Sequence, residues 1–131
     1  MDNAATLQIK LPRDLQAPSM ARAAVAGFSR QAEFGDSGLS TIALLVSELV
    51  SNAVLHSDAP DASDISLCVR LLDGASMRVE VIDEGSGFTV PPRDPSRIDG
   101  GYGLFLVDRQ ASQWGVDCEG GTRVWFEIRD E

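Results

Sequence analysis

With 131 residues, 44% of them hydrophobic and 24% charged, the chain has the size and make-up of one globular domain spanning residues 1–131. Its formal net charge of −9 disfavours phosphate backbones and anionic lipid, so neither direct nucleic-acid binding nor a membrane is expected. "MDNAATLQIK" shows no basic, apolar leader, no apolar run is expected to approach the ~20 residues needed to span a bilayer, and Cys68 and Cys118 suit neither a disulfide scaffold nor zinc, so a cytoplasmic setting is expected.

The first segment, "ATLQIKL", alternates apolar and polar residues and stops at Pro12, which predicts an edge strand. From Ala17 to about Glu33, Ala21, Ala24, Val25, Phe28 and Ala32 recur at helical spacing. "EFGDSG" breaks that pattern, and Asp36 or Ser37 can cap a second helix from about Leu39 to Ser57. After the loop "DAPDASD", Ile65, Leu67, Val69 and Leu71 share one strand face, as do Met77, Val79 and Val81 beyond the Asp73-Gly74 turn. These two runs form a β-hairpin. "GFTVPPRDPSRIDG" has three prolines and no periodicity, and reads as a mobile loop. "GYGLFLVDRQAS" is helical, "GVDCEGG" reads as a turn, and "TRVWFEIRD" alternates again. The order implies an α+β fold: a two-layer α/β sandwich whose mixed, mostly antiparallel sheet carries helices on one face.

Three short motifs carry chemistry. In "LLVSELVSNAVLHS" (44–57), Glu48, Asn52 and His56 recur every fourth residue and form one polar stripe. Such a stripe ordinarily faces water. "IDEGSGF" puts Asp83 at a strand end, followed by Gly85 and Gly87; taken alone it is a plain turn. "GGYGLFLV" sets Gly101 and Gly103 at a helix entrance, where free backbone amides and the helix dipole can hold phosphate, although a simple helix entrance has the same look. The chain holds a single lysine, Lys10, in the first strand. It therefore contains no P-loop and no strand lysine of the eukaryotic kinase kind.

The ordered set is more specific than its members. E-x-x-x-N on a helix, D-x-G-x-G after a strand, G-x-G-L-x-L-V before a helix and G-G-T before a last strand resemble the nucleotide site of the GHKL superfamily, the Bergerat-fold or histidine-kinase-like ATPases. The likeness runs from Leu7 to Ile128. "VSELVSNAVLHS" and "WGVDCEGGTRVWFEI" are most similar to the single-domain anti-sigma-factor serine/threonine kinases of bacteria.

That resemblance implies ATP and Mg²⁺ as cofactors. Glu48 would be the general base. Asn52 would ligate Mg²⁺ through its amide oxygen. Asp83 would accept a hydrogen bond from the adenine amino group, with Gly85 and Gly87 making room for the base and Thr122 supporting it. Gly101, Gly103 and Leu104 would line the phosphate side. Apart from the resemblance, Arg97 and Arg109 are the cations available for γ-phosphate charge, but an exposed arginine is more often simply solvated and neither is assigned to the site; His56 is expected to be structural. The implied partners are a sigma factor and an anti-sigma-factor antagonist of the STAS type bearing a serine, with a homodimer left open. The implied function is antagonist phosphorylation with sigma sequestration. An ATP-loaded binding module without kinase turnover is the alternative.

Overall fold

The computed structural model describes residues 6–31, 35–56, 63–72, 76–85, 102–117 and 121–129. Five strands and three helices follow one another as β1 (Thr6–Leu11), α1 (Ala17–Gln31), α2 (Asp36–His56), β2 (Ile65–Leu71), β3 (Ser76–Asp83), α3 (Tyr102–Gln110), β4 (Gln113–Asp117) and β5 (Thr122–Arg129). The strands form one sheet in the order β1-β2-β3-β5-β4, with every neighbouring pair antiparallel. β1 is an edge strand, as its closing proline predicts. The expected two-layer α+β sandwich is the observed fold, with a sheet that is wholly antiparallel rather than mixed.

Period-two patterning explains the sheet's two faces. Leu67, Val69, Met77, Val79, Val81, Val124, Phe126 and Ile128 are buried on the inner face, against the helices. The register pairs Val79 with Phe126 and Val81 with Val124, so β3 and β5 form the middle of the core. α1 contacts β1, α2 contacts β3 and β5, and α3 contacts β4. The helices therefore lie side by side in the order α1, α2, α3 across one face.

Each helix has a local reason to start where it does. Asp14 turns the chain by accepting the Gln16 amide on its Oδ1 at 2.9 Å, and Pro18 sits in the first turn of α1, where a missing N–H costs nothing. α2 starts about a turn before the expected Leu39. Its first hydrogen bond runs from the Leu39 amide to the Gly35 carbonyl at 2.9 Å, so Gly35 takes the capping place expected of Asp36 or Ser37. Ile42, Leu45, Val46, Leu49, Val50 and Ala53 then turn inward. One expectation fails here: the window Gly38–Leu55 does have the length and hydropathy of a membrane-crossing helix. In this fold Ile42, Leu45, Val46, Leu49, Val50 and Ala53 of that window are the core stripe laid on β3 and β5, while Leu44 and Leu55 are exposed.

β4 is a second departure. Gly115, Val116 and Asp117 belong to a strand, not to a turn, because they pair with Trp125, Val124 and Arg123 of β5. The remaining segment of that expected turn, 118–120, lies outside the described residues, as do the Asp73-Gly74 turn and the loop 86–100.

The outer face is layered at its centre. A Cβ on Gly115 would lie 2.8 Å from the Trp125 indole nitrogen, so the indole rests directly on β4 backbone. The Arg78 guanidinium lies 4.0 Å from the indole centroid and donates to Glu80 and Glu127, each at 2.9 Å. Burial alone would lower the Arg78 pKa, but its bonds to the two carboxylates outweigh that and raise it.

Candidate functional site

The inner face of the sheet is apolar until one end, where Asp83 and Thr122 form the last register pair of β3 and β5. Both are buried, Asp83 at 9% exposure and Thr122 at 3%. Asp83 Oδ1 accepts the Gly85 amide at 2.6 Å, and the Thr122 hydroxyl donates to the Gly85 carbonyl at 3.2 Å. Gly85 is thus held from both sides by the two residues that the sequence singled out.

Gly121 completes this arrangement. Its φ of 133° belongs to the region that favours glycine, and a Cβ there would lie 2.6 Å from the Asp83 carbonyl oxygen. The close approach lets β5 pair with β3 right up to Asp83. Sequence reasoning gave no role to Gly121, although "GGT" ahead of a strand was the available signal.

Glu48 and Asn52 are both half-buried on α2. Ser47 marks the α1 side of that helix, because Arg22 of α1 donates to its hydroxyl at 2.7 Å. Glu48 and Asn52 lie about 100–140° round the helix from Ser47, since each residue turns the helix by roughly 100°. They therefore occupy the flank turned away from α1, and α3 is the helix that α2 contacts on its other side.

The end of the sheet on which this flank bears follows from Arg13. β1 finishes and β2 begins at the Asp83 end, with Leu11 opposite Ile65 and Ser66 opposite Ile82. Arg13, just beyond β1, donates to the Ala53 carbonyl at 2.5 Å and to the Ser63 hydroxyl at 3.2 Å. The C-terminal half of α2, with Asn52 next to Ala53, is thereby tied to the Asp83 end. Arg13 also escaped sequence reasoning, being 40 residues from its carbonyl partner in the chain.

α3 approaches from the third side. It ends where β4 begins, beside Glu127, whose carbonyl accepts both the Ser112 amide and the Ser112 hydroxyl. Trp114 on β4 donates to Asp108 at 2.9 Å, so the helix folds back along its own following strand. Its first turn, which contains Gly103 and Leu104, points toward the Thr122 end, and amides of a first turn have no partner within the helix. Arg109 is exposed in the last turn of α3, away from that end. Gly87, Gly101 and Arg97 lie outside the described residues, and so does the His56 side chain.

The fold thus brings four elements together: the ends of β3 and β5, one flank of α2, and the first turn of α3. The donor set suits a nucleotide and a hard cation. It offers a buried carboxylate fixed by its own turn, a glycine, Gly121, where a Cβ would intrude on the Asp83 carbonyl, and an amide oxygen and a carboxylate one turn apart on α2.

Comparisons with known proteins agree with this architecture. A family model described as "Histidine kinase-like ATPase domain" matches residues 11–128. The serine-protein kinase RsbW of Staphylococcus epidermidis is 31% identical over 134 aligned positions, covering 90% of this chain and 82% of that protein. Among solved structures, the RsbU and RsbW domains of Rv1364c from Mycobacterium tuberculosis superpose with a TM-score of 0.76 at 24% identity. That match covers 95% of this chain, which spans only 32% of the length of the solved one. The histidine kinase domain of the Erythrobacter litoralis EL346 blue-light activated histidine kinase superposes with a TM-score of 0.58 at 20% identity, over 86% of this chain and 60% of that one. The chain belongs to the histidine kinase-like ATPase domain family, and is similar within it to the RsbW serine-protein kinases.

Proposed function

We propose that the chain is a cytoplasmic, single-domain, ATP-dependent serine/threonine protein kinase of the anti-sigma-factor type. It phosphorylates a small STAS-type antagonist and sequesters a sigma factor when that antagonist is modified. The observation that supports this reading most is the convergence of the Glu48–Asn52 flank of α2 on the sheet end formed by Asp83, Gly85 and Thr122. Kinship to RsbW kinases supports the reaction class.

In this reading Asp83 accepts the adenine amino hydrogen. A carboxylate has about four acceptor positions, so it can serve the Gly85 amide and a ligand together. Thr122 holds the Gly85 carbonyl away from the base, and Gly85 and Gly87 leave the base its space. Gly101, Gly103 and Leu104 form the phosphate side at the entrance to α3. Asn52 offers the amide oxygen that would hold Mg²⁺, which when bound supplies neutralisation of phosphate charge. Glu48 takes the proton from the partner's serine hydroxyl as its oxygen bonds to the γ-phosphorus, while the bond to the β–γ bridging oxygen breaks and ADP leaves. Positioning dominates such a step, and a half-buried carboxylate fixed on a core helix is a well-positioned base.

The test separates binding from chemistry. Glu48→Gln keeps size and polarity, so ATP affinity should be retained while phosphate transfer to the antagonist falls roughly 10²-fold or more. Wild-type transfer by Glu48→Gln would remove Glu48 from its role. ATP binding by the native chain, with no transfer to any STAS-type protein, would leave the ATP-loaded binding module as the function.

A further inference from the structure

α3 reaches the nucleotide end with little of itself in the core. At nine residues it is shorter than helices that hold together alone. Within 106–110, Val107 is fully buried and Leu106 half-buried, while Asp108, Arg109 and Gln110 are exposed. α2 supports the helix along one side. The Ser112 amide and hydroxyl, both donating to the Glu127 carbonyl, fix the point where it ends. A pivot and one buried side chain leave its tilt open.

A further restraint is the hydrogen bond from the Trp114 indole N–H to Asp108 Oδ1, 2.9 Å long. A carboxylate in the last turn of a helix opposes the macrodipole, which favours the neighbouring Arg109 instead. Helix formation therefore gives no reason for an aspartate at this position, and an exposed one adds nothing to the core. The indole supplies the reason. Trp114 is the register partner of Phe126, so it stands on the inner face of β4 and packs on the core. Its donor is thus fixed to the sheet. β4 is in turn paired along its whole length with β5, the strand that carries Thr122. The bond ties the direction of α3 to the strand that closes the site on its other side.

Gly103 and Leu104 lie four to five residues before Asp108, about 6–8 Å along the helix axis. A swing of ~10° about the C-terminal end would move their amides by ~1 Å, enough to spoil hydrogen bonds that depend on direction. The first turn has no acidic side chain of its own to offer those amides.

We propose that the Trp114–Asp108 hydrogen bond orients α3 toward the nucleotide and makes both residues positioning residues for its phosphate groups, which rests on reading the entrance of α3 as the phosphate side. Both act at the end of α3 remote from Gly103, so they work through the helix and not by contact. Water competes for both partners of an exposed bond, so it contributes little to whether the domain folds. Its effect is on direction.

The test titrates the full chain and its variants with Mg²⁺-ATP by calorimetry and with adenosine by ligand-observed NMR, which reaches weak binding. Asp108→Ala removes the acceptor at an exposed position, and Trp114→Phe removes the donor while keeping an aromatic ring on the core. Each should weaken ATP binding at least ~10-fold, a loss of about 1.4 kcal/mol or more, and change adenosine binding less than ~2-fold. Asp108→Asn keeps an oxygen for the indole N–H and should stay within ~3-fold of the native chain. Charge alone predicts otherwise, because deleting a negative group near a bound anion strengthens binding in both Asp108 variants alike. The double variant Asp108→Ala with Trp114→Phe should be no weaker than the weaker single one, since both remove the same bond. Unchanged ATP affinity in both single variants, or Asp108→Asn binding as weakly as Asp108→Ala, would overturn the proposal. Equal losses for ATP and adenosine would also overturn it, and would leave the bond a role in stability only. Should Trp114→Phe loosen the core, seen as a lower Tm of the free chain, Asp108→Ala and its rescue by Asp108→Asn decide. A native chain that binds ATP no more tightly than adenosine would instead remove the phosphate side itself, and the nucleotide reading with it.

Discussion

Asp83 has two tasks at once. Its Oδ1 closes the turn to Gly85, and in the proposed site its remaining acceptor capacity reads the adenine amino group. Asp83→Asn separates them, because the amide oxygen still accepts the Gly85 N–H while an NH₂ replaces the second acceptor. The fold should therefore persist, and calorimetry should show ATP binding weaker by about 1–3 kcal/mol, the cost of mispairing a buried polar group. Unchanged ATP affinity in Asp83→Asn, or equal affinity of the native chain for ATP and GTP, would remove the adenine-reading role. Gly121 shows what could not be read at this scale from the chain alone. Its conformation is dictated by the Asp83 carbonyl 2.6 Å from where its Cβ would stand, and that neighbour is 38 positions away.

At the scale of elements, the sequence is most legible where periodicity is long and least where pairing decides. The heptad-like recurrence along α1 and α2 and the alternation in β2, β3 and β5 identify those elements directly. "QWGVD" has five residues, a central glycine and a terminal aspartate, so no local preference marks it as β4. It becomes a strand because β5 offers an edge and because Gly115 makes room for the Trp125 indole. Arg13 is the same lesson for the site: its grip on the last turns of α2 is a long-range contact with no motif. Arg13→Met keeps the aliphatic stem and removes the donors. It also removes a buried Nε that has no partner among the described residues, which offsets part of the loss. Urea denaturation should show a destabilisation of about 1–2 kcal/mol. Because Asn52 adjoins Ala53, the Mg²⁺-dependent part of ATP binding should suffer more than binding in EDTA. Equal losses in the two conditions would mean that Arg13 only stabilises the fold.

For the whole molecule, a ligand that bridges α2, α3 and the β3–β5 end should stabilise all of it. At a hundred times its Kd, Mg²⁺-ATP should add about 2.7 kcal/mol, or roughly 10 °C in Tm for a domain of this size. EDTA should remove most of that gain, as Asn52 contributes through the metal. A shift of the same size in EDTA would sink the metal assignment.

The strand order has a further consequence, for the time course of folding. β5 is the last of the described strands in sequence, yet it lies between β3 and β4 in the sheet. A ribosome releases Glu48, Asn52 and Asp83 early, together with the three neighbouring strands β1, β2 and β3. Until the final strand emerges, β3 has an open, apolar edge with Val79 and Val81 uncovered on that side. Insertion of β5 then seals that edge, organises β4 and brings Thr122 to Asp83 in a single event. The nascent chain is therefore most prone to aggregation before β5 emerges, and nucleotide competence arises together with closure of the sheet.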